Sequence, residues 1–77
     1  MECVGEITLT ANVASTVFNR NGISIQTFIS FQPTTANAAT ELAAGTMWTS
    51  AQSENTVTIT HANNAQADRS FRFLAIG

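Results

Sequence analysis

His61 is the one histidine of the chain, and so the one side chain suited by type to act as a general base near neutral pH. A hydrolytic relay would also need a nucleophile and an orienting carboxylate within reach. Ser70 and Asp68 lie beyond the next polar loop and would stand across a hairpin from His61 by chance. The simpler expectation is a histidine bonded to loop backbone. Cys3 has Glu2 and Glu6 near it in sequence, whereas a reactive thiolate wants a cationic setting, so it reads as inert. One cysteine and one histidine give no internal disulfide and no Cys/His zinc site. Asn63-Asn64 suits a turn made by side-chain-to-backbone bonds; a calcium site would want more carboxylates. No catalytic residue, cofactor, metal or small-molecule substrate is expected from these residue types.

Three residues are better suited to contact than to catalysis. Trp48 is the only tryptophan. Such a residue fits an interface hot spot, a sugar-stacking site or a core position. Arg69 and Arg72 flank Phe71 and could form a carboxylate-binding pair or lie as solvated edge residues. All three are expected as partner contacts.

The composition narrows the partners. Five acids (Glu2, Glu6, Glu41, Glu54, Asp68) face three arginines and no lysine, for a net charge of -2. So few charges are unusual on a free soluble monomer, and Thr, Ser, Asn, Gln and Ala take their place. There is no basic patch to neutralise nucleic-acid phosphates. No apolar run approaches membrane-spanning length, and Met1-Glu2 does not begin a charged leader. A folded monomer of 8.2 kDa should expose about 4,500 Å² of the roughly 11,900 Å² of its unfolded chain. Apolar burial then stabilises by ~110 kcal/mol, against a conformational cost of ~115 kcal/mol. With the terms cancelling and no disulfide or metal, self-association is the remaining source of stability.

The elements that must position these residues are strands. Alternation with a period of two marks 6–10, 56–61 and 71–76, while 14–18, with Val17 and Phe18 on opposite faces, and 46–51, carrying Met47 and Trp48, read as further strands. The longest candidate is 23–32, ended by Pro33, which cannot donate to a ladder. Asn21-Gly22 predicts a tight hairpin between 14–18 and 23–32. Gln52 to Asn55 reads as a turn and 62–68 as a polar loop. The alanine-rich 34–45 reads as an ordered loop with at most a short helix, its stripe being Ala38, Ala39, Leu42 and Ala43. Six strands with regular turn signals predict one all-β domain over 1–77, a compact antiparallel sandwich or barrel. Its core face would carry Ile7, Leu9, Ile23, Ile25, Ile29, Phe31, Val57, Ile59, Phe71 and Phe73. The opposite face should be polar, yet Phe28, Leu74 and Ile76 fall on it. Three large apolar groups on a solvated sheet face are expected to form a subunit interface near a trimer axis.

From Pro33 onward the chain reads PTTANAATELAAGTMWTSAQSENTVTITHANNAQADRSFRFLAIG. This run resembles a group of small β-domains of tailed bacteriophages. Their shared run is a strand ending in Pro, a Thr-Ala-Asn-Ala-Ala-like loop and an aromatic strand. A Thr/Phe-Thr-Ile/Val-x-His-Ala-Asn segment and an aromatic-x-aromatic strand ending in Gly complete it. Phe73-Leu74-Ala75-Ile76-Gly77 is also similar to the closing strand of H-type lectin domains. The similarity covers about residues 23–77. Such domains occur as fibre tips and as short virion proteins, commonly homotrimers. The resemblance implies a capsid decoration (cement) protein on the outer capsid surface of a virion, with the major capsid protein as its partner. The alternative it implies is a tail-fibre tip or another receptor- or glycan-binding phage protein. The lectins' sugar-contacting residues have no match here, and a shaft segment is missing, which favours the capsid location.

Overall fold

The computed structural model describes residues 2–77. Its elements are β1 (Glu2–Thr8), β2 (Ser15–Asn19), β3 (Phe28–Pro33), α1 (Ala36–Ala43), β4 (Trp48–Ser53), β5 (Thr56–Thr60) and β6 (Ser70–Ile76). The strands form two three-stranded antiparallel sheets, ordered β1-β6-β3 and β2-β5-β4. No ladder joins the sheets, so the barrel alternative is not realised. The chain exposes 4376 Å², close to the area expected for a compact chain of its mass.

Alternation puts one side of each strand between the sheets. The first sheet sends in Ile7, Phe71, Phe73 and Ala75, with Ile29, Phe31 and Cys3 partly buried beside them. The second sends in Val57 and Ile59, with Phe18 against them. Phe18 and Phe73 meet across the sheets with ring centroids 5.1 Å apart, and Phe31 meets Phe71 edge-on at 6.3 Å. Both are favourable aromatic geometries. Leu9 and Ile23 close the core from the connections.

Three expectations are overturned. Residues 23–27 are not strand. Ser24 and Thr27 bond each other in a turn, with Thr27 N–H donating to the Ser24 carbonyl at 3.2 Å and Ser24 N–H to Thr27 Oγ1 at 2.9 Å. Hydroxyl-to-backbone bonds of this kind compete with a ladder. The turn carries Ile25 out of the predicted core to 74% exposure. Asn21-Gly22 does not make a hairpin, because β2 pairs with β5 and β3 with β6. Of the pair only Gly22 takes a positive φ, 93°, whereas the tight hairpin turn needs it at both residues. The turn instead docks on Asn55, whose side chain accepts from Gly22 N–H at 3.0 Å, and sends the chain to the other sheet. The hairpin envisaged between 56–61 and 71–76 is absent too: β5 and β6 belong to different sheets.

The alanine-rich segment is a helix. The Thr35 hydroxyl accepts from Ala38 N–H at 3.2 Å as N-cap. Gly45, at φ 74°, follows the last turn, where a left-handed residue ends helices cheaply. The buried side of α1 is Ala38 and Glu41, while Leu42 of the expected stripe is 42% exposed.

Gly5 is the tight point of the core. A Cβ there would lie 2.7 Å from two atoms of the Phe73 ring and would run into the Arg20 guanidinium, which sits over that ring at 5.2 Å. Gly5→Ala is therefore expected to destabilise by about 1–3 kcal/mol, the usual cost of overpacking. Urea denaturation checks this; an unchanged midpoint would mean that the ring and Arg20 move aside freely.

Candidate functional site: a buried arginine network and two exposed sheet faces

The two ends of the polar stretch 61–69, His61 and Arg69, fold inward beside Glu41 of α1. His61 is 3% exposed, Arg69 0% and Glu41 5%. Arg69 Nη1 donates to Glu41 Oε1 at 2.9 Å and to the Ala62 carbonyl at 2.8 Å; Nη2 donates to the Thr10 carbonyl at 3.2 Å. The other carboxylate oxygen of Glu41 accepts from the Thr46 hydroxyl and from Ala62 N–H, the latter at 3.1 Å. Arg69 Nε is the one buried side-chain nitrogen or oxygen without a partner among the described residues. The network thus ties α1, the α1–β4 link, the β1–β2 connection and the start of the β5–β6 connection to one guanidinium.

His61 stands beside this pair with both ring nitrogens in use. Thr16 Oγ1 accepts from Thr10 N–H at 2.9 Å and stands 2.8 Å from His61 Nε2. The Ala62 carbonyl, 2.9 Å from Nδ1, can only accept, so Nδ1 carries a proton, and in the neutral ring Nε2 then accepts from the Thr16 hydroxyl. That tautomer leaves Nδ1 no lone pair for Arg69 Nη1, 3.4 Å away. The expected bond from histidine to loop backbone is present. Asp68 accepts from Asn37 Nδ2 at 2.7 Å, and the Ser70 hydroxyl meets Thr8 Oγ1 at 3.0 Å. His61, Asp68 and Ser70 each bond elsewhere, so the relay that their types allowed is not assembled. The Asn63-Asn64 turn is also present, with Asn64 Oδ1 accepting from Gln66 N–H at 3.0 Å.

Arg69 corrects the sequence expectation. It binds a carboxylate, but that of Glu41 inside the chain, and its burial removes it from contact with a partner. Sequence reading missed Glu41 because a glutamate on the inner side of a short helix interrupts the apolar stripe being sought. The one available signal was the shortage of charge, which left few candidates for pairing a buried arginine. Arg72 does reach the surface. It lies on the outer side of β6, opposite Glu6 of β1 and Gln32 of β3, and Arg69–Glu41 is the sole ion pair among the described residues.

The outer sides of the two sheets differ. Across β1-β6-β3 the outward rows are Glu2–Ile76–Phe28, Val4–Leu74–Ser30, Glu6–Arg72–Gln32 and Thr8–Ser70. Phe28, Leu74 and Ile76 share this face, as the alternation required. Val4 joins them, unread in the sequence because β1 begins earlier than 6–10. Phe28 is 64% exposed, Val4 61% and Ile76 43%, with Leu74 half-buried. On the second sheet the outward rows are Ser15–Thr60–Trp48, Val17–Thr58–Ala51 and Asn19–Thr56–Ser53. No residue of these rows is charged, and Trp48, which did not take the core alternative, is 59% exposed at the edge. A bulge between Thr49 and Ala51 brings Ser50 Oγ to accept from the Thr60 hydroxyl at 2.7 Å.

No family model, no curated protein and no solved structure matches the chain.

The network predicts two stability effects. Arg69→Met leaves the Glu41 carboxylate buried without its cation and should destabilise by about 3–5 kcal/mol. Arg69→Met with Glu41→Met should recover part of that loss; equal denaturation midpoints for all three proteins would show that the pair is energetically idle. The second effect concerns acid. Burial alone would raise the Glu41 carboxyl, but the Thr46 hydroxyl, Ala62 N–H, the Arg69 bonds and the Arg69 charge outweigh it and hold it below its ordinary value. A carboxyl lowered by folding contributes stability that is full above its unfolded value, about 4.3. This contribution is lost as pH falls through the folded value. Melting temperature against pH should therefore fall more steeply in acid for the native chain than for Glu41→Gln.

Proposed function

We propose that this chain is a virion structural protein of a tailed bacteriophage: a β-sandwich capsid decoration protein. It binds the outside of the capsid as a trimer and reinforces contacts between capsomers. The observation that carries the reading is the division of the surface. The network that completes the fold is sealed inside, while large apolar side chains stand outward on both sheets amid very little charge. Such faces gain most from contact with other protein, since their burial costs little desolvation of charge. The likeness of 23–77 to small phage β-domains and the marginal balance of an isolated chain support the same reading. In it the chain performs no catalysis, and His61 serves the fold.

One observation favours a second reading, a tail-fibre tip or other glycan-binding protein. Trp48 stands exposed beside the Ser50 and Thr60 hydroxyls on an uncharged face, a setting in which an aromatic ring can stack on a neutral sugar.

Mass spectrometry of purified particles from the phage that encodes the chain should detect it, and electron microscopy should place it at local three-fold axes of the capsid. Protein found only in the lysate and absent from particles would sink the virion reading. Density at the tail, together with binding on a glycan array, would replace the capsid location with the second one.

A further inference from the structure

We propose that Asn21-Gly22 is a site of spontaneous covalent modification, at which Asn21 loses its side-chain amide to become aspartate or isoaspartate, and that the Asn55 side chain is the brake on this reaction. Neither part depends on the virion reading.

The reaction is an intramolecular acyl transfer. The Gly22 nitrogen gives its proton to water and attacks Asn21 Cγ. The new N–C bond closes a five-membered imide as the Cγ–Nδ2 bond breaks, and ammonia leaves with a proton taken from water. A water molecule then opens the ring at either carbonyl, giving aspartate, or isoaspartate with the main chain running through Cγ. Asn21 is the one asparagine of the chain followed by glycine, so here alone no Cβ on the attacking residue crowds the approach. Water is the only co-reactant, and it has access. Asn21 and Gly22 are exposed, and a depression of about 480 Å³ beside Gly22, Ser24 and Asn55 opens to solvent.

The fold holds the pair away from the reactive geometry. The Arg20 carbonyl accepts from Ile23 N–H at 3.3 Å, and Gly22 has φ 93° while Asn21 is not among the positive-φ residues. This is a type II turn with Asn21 and Gly22 at its centre, in which ψ of the first central residue is about 120°. That angle directs the Gly22 nitrogen away from Cγ, so ring closure requires the Asn21 Cα–C bond to rotate. Three bonds to one residue oppose the rotation. The Asn55 carbonyl accepts from Arg20 N–H at 3.0 Å, and Asn55 N–H donates to the Ile23 carbonyl at 2.8 Å. Asn55 Oδ1 accepts from Gly22 N–H at 3.0 Å, and so holds the proton that the reaction must remove. Attack needs the reacting atoms aligned about 3–3.5 Å apart. The rate therefore follows the population in which the Gly22–Asn55 bond is locally open. Isoaspartate adds a methylene to the main chain of the β2–β3 connection, and the modified chain should denature at lower urea than the native one.

The purified chain is held in warm, mildly alkaline buffer, and peptide mass spectrometry follows aspartate and isoaspartate at each asparagine. Conversion should concentrate at residue 21, and Asn21→Ser should abolish it there. Asn55→Gly tolerates the positive φ of 65° and removes the acceptor. Its conversion should be about fivefold faster, the factor that one net hydrogen bond is worth. Asn55→Asp keeps an acceptor oxygen and should convert at the native rate. Gly5→Ala, which loosens the core and leaves the Asn55 bonds in place, should do the same. No conversion at Asn21 in any of these proteins, or conversion no faster there than at the other asparagines, overturns the site. Equal rates in the native chain and Asn55→Gly overturn the brake, as does equal acceleration by Gly5→Ala and Asn55→Gly. Where circular dichroism shows Asn55→Gly unfolded, amide hydrogen exchange decides. Gly22 exchanging in the native chain as fast as in a free Asn-Gly peptide overturns the brake, and slower exchange upholds it.

Discussion

The buried pair of Arg69 and Glu41 is the constraint on which the rest of the molecule depends. Neither charge can be left alone at that depth, because an unpaired ion in a low-dielectric interior costs several kcal/mol. The guanidinium has five donors and a fixed fork, so satisfying it dictates where several backbone segments go. Thr10, Ala62 and Glu41 converge on it, and Thr46 and Ala62 N–H complete the carboxylate. Glu41 comes from α1, and Thr10, Thr46 and Ala62 come from connections between elements. In a chain without a disulfide, the pair joins them as a crosslink would, but by polar geometry.

That role explains the position of the helix. A single helix of eight residues is too short to be stable alone. It holds here because Thr35 caps it, Ala38 packs closely and Glu41 reaches the arginine. The Thr35 hydroxyl also donates to the Asp68 carbonyl, and Asn37 holds the Asp68 side chain. The helix and the segment preceding β6 are thus fixed to each other just before Arg69, and β6 is the central strand of its sheet.

With the Arg69–Glu41 pair turned inward, little charge is left for the sheet faces. Of eight charged residues, two neutralise each other inside. The outward rows of the β2-β5-β4 sheet carry none. The other sheet keeps three charges beside an apolar end. Threonine dominates the central strand β5, as suits a pleated sheet exposed on one side. It keeps that face from being greasy without adding charge that an interface would have to desolvate.

The sequence by itself determined which residues lie between the sheets and which point outward. A period of two is a local property of extended backbone, and it placed Phe71 and Phe73 inside and Phe28, Leu74 and Ile76 outside. Turn chemistry was legible where it was local, as at Asn64 and at the turn before Thr56. It misled at Asn21-Gly22, since a dipeptide allows a tight hairpin but the pairing of β2 with β5 is chosen by contacts far along the chain. Ile25 was misassigned for a related reason: Ser24 and Thr27 bond each other and end the alternation that the apolar spacing suggested. Only the tertiary structure decided that Arg69 and Glu41 are buried. A charged residue is at home in water or beside an opposite charge, and nothing in its neighbours says which. The partner that made burial possible lies 28 residues away, on a helix, and is brought within reach only when both sheets have closed.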